Sequence, residues 1–244
     1  MGERKYFEQP KIDFVIEDQY PMLDGGKMAE ISEHWRRVSA GTNMFPGGVW
    51  CAHYMVEKGN EITLMVNRSD YAVYKFARDK KEKIVGAYTM GTGVLVYDED
   101  REAFVFGRRS KDGVGFDGGM ISVFGGVVDW DNTQEREVAV KEDEFLEMIL
   151  EQAKKELGEE LKAEFMGEPE PMGTYVDEDT LKVEFMFIVR ARGVELSGDD
   201  ENVELIYVKP EELTVFFEAN KEQFEASTKG HMEHWVDKII PIPE

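Results

Sequence analysis

FLEMILEQAKKELGEEL, residues 145–161, is the stretch around which the rest of the chain can be placed. Leu146, Ile149, Leu150, Ala153, Leu157 and Leu161 recur at three- and four-residue spacing, which predicts one amphipathic helix packed on a sheet. Glu142, Asp143 and Glu144 precede it, and acids in a first turn suit the positive end of a helix dipole. Glu156, Glu159 and Glu160 stand at i, i+3 and i+4, so three carboxylates share neighbouring parts of one helix surface. Such crowding is mildly destabilising unless a cation sits there. Lys155 has Glu151 and Glu159 at helical pairing distance.

On either side of this helix the pattern changes to strands. Upstream, Thr92–Tyr97 and Ala103–Ser110 flank the turn Asp98-Glu99-Asp100, with Arg108 and Arg109 at the end of the second strand. Val123-Phe124-Gly125-Gly126 follows, and its glycines allow a tight turn and close backbone approach. Downstream, Met172–Val176 and Leu181–Arg190 flank a turn at Asp177-Glu178-Asp179. A strand at Glu201–Val208 precedes one final helix over Phe216–Val236, with Lys229-Gly230 as a candidate break. Glu184, on a strand, reads as a solvated residue, with a base or a further metal ligand as the functional alternative.

Residues 1–26 read as an arm with a short strand at Ile12–Ile16. Met28–Arg37 predicts a helix from the spacing of Met28, Ile31 and Trp35. Val49–Val56 and Glu61–Val66 form a hairpin across Lys58-Gly59-Asn60. The type of Asp70–Arg78 is left open, and Asp79–Lys83 reads as a solvated connection. Trp35, Trp50, Tyr71 and Tyr74 fit a core better than a base-stacking platform.

Lys155-Glu156-Leu157-Gly158-Glu159-Glu160-Leu161-Lys162-Ala163 resembles the second half of the Nudix box, whose pattern is G-x5-E-x7-R-E-U-x-E-E-x-G-U with U aliphatic. Gly125-Gly126 looks like the approach to that box, with Phe124 where proline is usual. Two registers are open. Placing Gly158 on the late glycine puts Gln152 and Lys155 on box glutamates, whereas placing Glu156 on the Arg-Glu pair keeps three carboxylates, and we adopt the second. Lys155 then replaces arginine and Lys162 the late glycine. Between Gly126 and Glu147, the upstream glutamate by count, stand twenty residues where the pattern has five. Glu147 lies about half a turn round the helix from Glu156, and Glu135 or Glu137, in a polar insertion at 129–140, are the substitutes. Tyr207, before Val208 and Pro210-Glu211-Glu212-Leu213, stands where the family often has tryptophan.

The resemblance implies an α+β fold, a Nudix-like α/β/α sandwich with a mixed sheet over 86–244, beside a small N-terminal α+β extension over 1–85. It implies a hydrolase of nucleoside diphosphate-linked compounds, in which Glu156, Glu159 and Glu160 hold Mg2+ or Mn2+ and Glu159 and Glu160 are catalytic. Arg108, Arg109, Gly125 and Gly126 would bind substrate, and a homodimer would be in keeping. A non-catalytic Nudix-fold module binding a nucleotide or protein is the alternative. An assembly subunit that binds through its N-terminal part is a third reading.

A chain of 244 residues and 28.0 kDa can hold one large domain or a standard domain with an extension. Its formal charge of -22 argues against a chain-wide grip on nucleic acid or anionic membrane. Cys51, the single cysteine, excludes an internal disulfide, and no Cys/His set suggests zinc. No apolar run approaches a membrane span, so a soluble cytoplasmic protein is expected. His231 and His234 have no metal-binding partner fixed by spacing, Val114–Gly119 is a weak phosphate-cradle signal, and no G-x-S-x-G elbow exists.

Overall fold

The computed structural model describes residues 4–16, 23–40, 47–84, 87–111, 118–129, 142–198, 202–236 and 238. Its strands are β1 (Arg4–Glu8), β2 (Lys11–Ile16), β3 (Gly48–Lys58), β4 (Glu61–Asp70), β5 (Tyr88–Asp98), β6 (Ala103–Arg109), β7 (Ile121–Ser122), β8 (Leu161–Phe165), β9 (Glu170–Asp177), β10 (Lys182–Leu196) and β11 (Asn202–Val208). Its helices are α1 (Gly25–Val38), α2 (Tyr71–Lys80), α3 (Glu142–Glu160), α4 (Leu213–Asn220) and α5 (Ala226–Trp235).

β5 and β10 form the centre, parallel from Lys182 beside Thr89 to Ala191 beside Asp98. β9 and β8 flank β10 antiparallel, β1 extends β9, and β3, β4 and β2 continue the sheet from the other side of β5. β6 pairs the far end of β5 and carries β7 and β11. The sheet is mixed, and it joins the hairpin of the first 85 residues to the rest through Cys51 beside Thr89 and Ala52 beside Tyr88.

Strand side chains alternate between faces, and the two faces carry different helices. Met90, Val94 and Val96 of β5 and Val183, Phe185 and Phe187 of β10 share a core with Phe145, Ile149, Ala153 and Leu157 of α3. Leu95, Tyr97, Met186 and Ile188 pack instead with Leu213, Phe217, Met232 and Trp235 of the C-terminal helices and with Phe224 between them. The result is an α/β/α sandwich of the α+β class. α1 and α2 form a third cluster with Ile84, Ala87 and Leu181.

Several expectations need correction. The strand expected at Ile12–Ile16 is β2, parallel to β4, but the arm also holds a second strand, β1, which finds the free edge of β9. The undetermined segment is α2, and Lys81, left-handed at φ 54°, ends it. The expected single helix over 216–236 is two, interrupted not at Lys229-Gly230 but at Lys221–Glu225. There Phe224 is extended and bridges Ile121, and Glu225 caps α5 by accepting from Thr228 N. Of the stripe read on α3, Ile149, Ala153, Leu157 and Leu161 are buried and Leu150 packs against them; its first turn differs. Leu146 is 46% exposed, while Phe145 is fully buried with its ring 4.6 Å from Phe14 and 5.0 Å from Trp50. α3 ends at Glu160, so Lys162 lies on β8.

Candidate functional site

The middle of β5 is bordered by an irregular segment, residues 124–128. Val94 N donates to Phe124 O at 2.6 Å, Thr92 N to Gly126 O at 2.8 Å and Val128 N to Met90 O at 2.9 Å, while Trp50 N of β3 reaches Val128 O at 2.9 Å. These bonds fix the glycine bend between β5 and β3. Gly125 has φ 144°, and a Cβ there would run into the Thr92 carbonyl; one on Gly126 would sit 2.5 Å from Glu156 Cδ. Gly125 therefore requires glycine, whereas at Gly126 a Cβ would have to displace the Glu156 carboxylate.

Beside the apolar stripe of α3 a second ridge, Gln152–Glu156–Glu160, faces this bend. Glu160, 2% exposed, accepts from Gly125 N at 3.2 Å and from Asn202 Nδ2 at 2.9 Å. Glu156 is partly buried against Gly126 and accepts from Gln152 Nε2 at 2.6 Å. Glu159 is exposed at the helix end. Lys155 pairs with Asp129 at 3.1 Å, rather than with Glu151 or Glu159; the loop residue reaches it from outside the helix.

Across the bend, on the α5 side of the sheet, lies a cavity of about 160 Å³. Gly125, Gly126 and Arg109 line it, with Tyr71, Tyr74 and Arg78 of α2, Lys182 and Glu184 of β10, and Glu225 and Ser227 at the start of α5. Glu184 is buried, which corrects its reading as a solvated residue; it alternates onto the opposite face from α3 and pairs with Lys182. Burial raises the Glu184 carboxyl, against the pull of Lys182. Lys182 also lies 3.6 Å from Glu225 and donates to Ser227 Oγ at 3.1 Å. Burial disfavours the Glu225 anion, yet Lys182, Ser227, the Thr228 amide and Arg109 outweigh it and lower its pKa to about 2. Gly91 and Gly93 leave room for these side chains: a Cβ on Gly93 would stand 2.9 Å from Glu184 Oε1.

Of the residues expected from sequence, the bend brings together Gly125, Gly126, Glu156, Glu160 and Arg109. Arg108 points elsewhere, donating to Glu204 at 2.8 Å and to Gly119 O at 3.2 Å. Glu147, exposed on α3, is away from the bend, and Glu135, Glu137 and Val114–Phe116 lie outside the described residues. Gln152, Asn202, Lys182 and Glu225 escaped the sequence reading. Only Gln152 had a signal, four residues before Glu156.

Among the described residues no three His, Cys, Asp or Glu side chains gather as a metal shell. Magnesium, however, is commonly held by one or two carboxylates plus substrate phosphates and water. Glu156 and Glu160, one turn apart at adjacent glycines, match that smaller donor set. No helix among the described residues is long and apolar enough to cross a membrane.

No family model and no curated protein matches this chain. Among solved structures it is similar to Tm1382, proposed to be a Nudix hydrolase, at 17% identity over 82% of this chain and 93% of that one, with a TM-score of 0.45. A MutT protein from Methanosarcina mazei Go1 is 19% identical over 60% of this chain and 91% of its own, with a TM-score of 0.37. A bifunctional NMN adenylyltransferase/ADP ribose pyrophosphatase from Francisella tularensis is 9% identical, with a TM-score of 0.42; the similarity covers 69% of this chain and 46% of that protein.

Proposed function

We propose that this chain is a Nudix-type hydrolase that cleaves the diphosphate of a nucleoside diphosphate-linked compound, with phosphate in the cavity against Arg109 and the glycine bend. The supporting observation is the bend itself: its two glycines line the cationic cavity and also touch the carboxylates of Glu156 and Glu160. Arg109 faces phosphate oxygens and stabilises charge developing there. Asn202 and the Gly125 amide hold Glu160 in one orientation, and Gln152 does the same for Glu156. Glu156 and Glu160, with Glu159 at the same helix end, would hold Mg2+ or Mn2+, which when bound neutralises phosphate charge and activates water.

Turnover of nucleoside triphosphates, dinucleotides and nucleotide sugars, measured with magnesium or manganese, tests this reading. Wild type should cleave at least one of them, and Glu160→Gln should lower kcat about 100- to 1,000-fold, the scale of losing one preorganised electrostatic contact. A second reading, a diphosphate-binding module without chemistry, is favoured by one observation: both Glu160 oxygens already accept from protein donors. Tight nucleotide binding without turnover, unchanged by Glu160→Gln, would establish that reading instead.

A further inference from the structure

The first half of the chain supplies one wall of the cavity. Tyr71, Tyr74 and Arg78 stand on α2 at three- and four-residue spacing, so one helix face presents all three. Resting on the proposal that the cavity takes a diphosphate, we infer that this α2 face is a phosphoryl-oxygen subsite, with Tyr71 and Tyr74 hydroxyls and the Arg78 guanidinium as donors.

The charge count comes first. In a chain of formal charge -22, the cavity lining gathers three cations, Arg78, Arg109 and Lys182, against two carboxylates, Glu184 and Glu225. Both carboxylates are already engaged. Glu184 pairs with Lys182, and Glu225 caps α5 through Thr228 N at 3.1 Å and the Ser227 hydroxyl. The lining therefore carries one more cation than it has carboxylates.

The two phenols add donors rather than stacking surfaces. Tyr74 is buried in the α1–α2 cluster, and Tyr71 packs against it, with the two rings 5.4 Å apart and tilted. Trp35 meets the Tyr71 ring edge-on at 6.2 Å. Their oxygens, by contrast, lie near the cations: Arg78 Nη1 donates to Tyr74 Oη at 3.0 Å, and both phenols feel the field of Arg78 and Lys182. Burial pushes the Tyr71 hydroxyl up to about 12 and raises Tyr74, so both keep their protons at neutral pH and can donate. Ser122 Oγ, also lining the cavity, is buried without a hydrogen-bond partner. Orphaned buried hydroxyls of this kind mark a place where a ligand atom or water belongs.

Size narrows the ligand. A cavity of about 160 Å³ is close to the roughly 150 Å³ of an engineered cavity that admits benzene, enough for a phosphoryl group and too small for a whole nucleotide. Three cations and two phenols around so small a space suit a tetrahedral oxyanion, which takes several charge-assisted hydrogen bonds at once. α2 therefore reads phosphate oxygens, and the nucleoside lies outside the cavity.

The test is calorimetric titration of the full chain with inorganic pyrophosphate and with adenosine, both in chelator so that no metal contributes. Pyrophosphate should bind and adenosine should not compete with it. Arg78→Gln should weaken pyrophosphate about 10- to 100-fold, and Tyr71→Phe and Tyr74→Phe about 2- to 10-fold each, the scales of charged and neutral hydrogen bonds. The control Val215→Ala, 72% exposed on α4, should leave this affinity within about twofold; turnover of Glu160→Gln and pyrophosphate binding by the α2 variants report on separate claims. If Arg78→Gln fails to melt cooperatively, the near-isosteric tyrosine variants decide the matter. No binding of pyrophosphate, equal binding by wild type and the α2 variants, or competition by adenosine overturns the assignment.

Discussion

One face of the β5–β10 pair is filled with hydrocarbon throughout, whereas the other sets a charged cavity beside its hydrocarbon core, although the same two strands supply both. Toward α3, β10 directs Val183, Phe185 and Phe187 onto a fully buried row of Phe145, Ile149, Ala153 and Leu157. Toward α2 and α5 it directs Lys182 and Glu184, and Glu225 meets them there. An isolated buried charge is costly, but breaking a buried pair by removing one partner is costly too. The first face consequently behaves as a packing problem and the second as an electrostatic one, with the glycine bend as their common border.

The border should be the most sensitive position. Gly125→Ala places a Cβ against the Thr92 carbonyl at φ 144°, so backbone strain and overpacking together should cost about 3–5 kcal/mol. Urea unfolding measures this, and a loss below about 1 kcal/mol would mean that the bend is not the rigid border described.

A smaller effect concerns the first turn of α3, where the sequence pattern put Leu146 in the core stripe with Ile149. Ile149→Ala, fully buried, should lose about 2–5 kcal/mol, and Leu146→Ala, 46% exposed, less than about 1 kcal/mol. Equal losses in thermal or urea unfolding would return Leu146 to the core.

The smallest effect probes the polar side through His231, buried among Tyr6, Tyr175 and Trp235 with neither ring nitrogen hydrogen-bonded. Burial, then Lys182, holds its pKa well below 6.5, against Glu225; His234 adds to the lowering. Below pH 6.5 the unfolded chain takes up a proton that the folded chain refuses, so this histidine's contribution to stability is full above 6.5 and is lost as pH falls. His231→Phe should remove a slope of up to about 1.4 kcal/mol per pH unit. Urea midpoints at pH 7.5 and 5.5 read it; identical pH dependence in the two proteins would show that His231 is not buried as a neutral ring.

How much of this the sequence disclosed follows from the distance over which each feature is built. α3, its carboxylates, the hairpin at Gly59 and the strands after Tyr88 are local, and periodicity and turn residues expose them. The burial of Phe145 in place of Leu146 was hidden because the two are equally apolar and only the partners Phe14 and Trp50 choose between them. The split of the last helix depends on Phe224 bridging Ile121, a long-range contact without a local marker. The cavity was least visible. Tyr71, Arg109, Lys182 and Glu225 come from four distant segments, and strand alternation alone could not tell which face Glu184 would occupy or that a lysine would meet it.

The central parallel pairing carries a consequence for the order of assembly. Residue 89 lies beside residue 182, so the middle of the sheet closes only after a long intervening chain has been brought round, and such non-local closure slows folding. Until it happens, the apolar side of β10 has no cover, which makes that strand the segment most exposed to intermolecular association during synthesis or refolding.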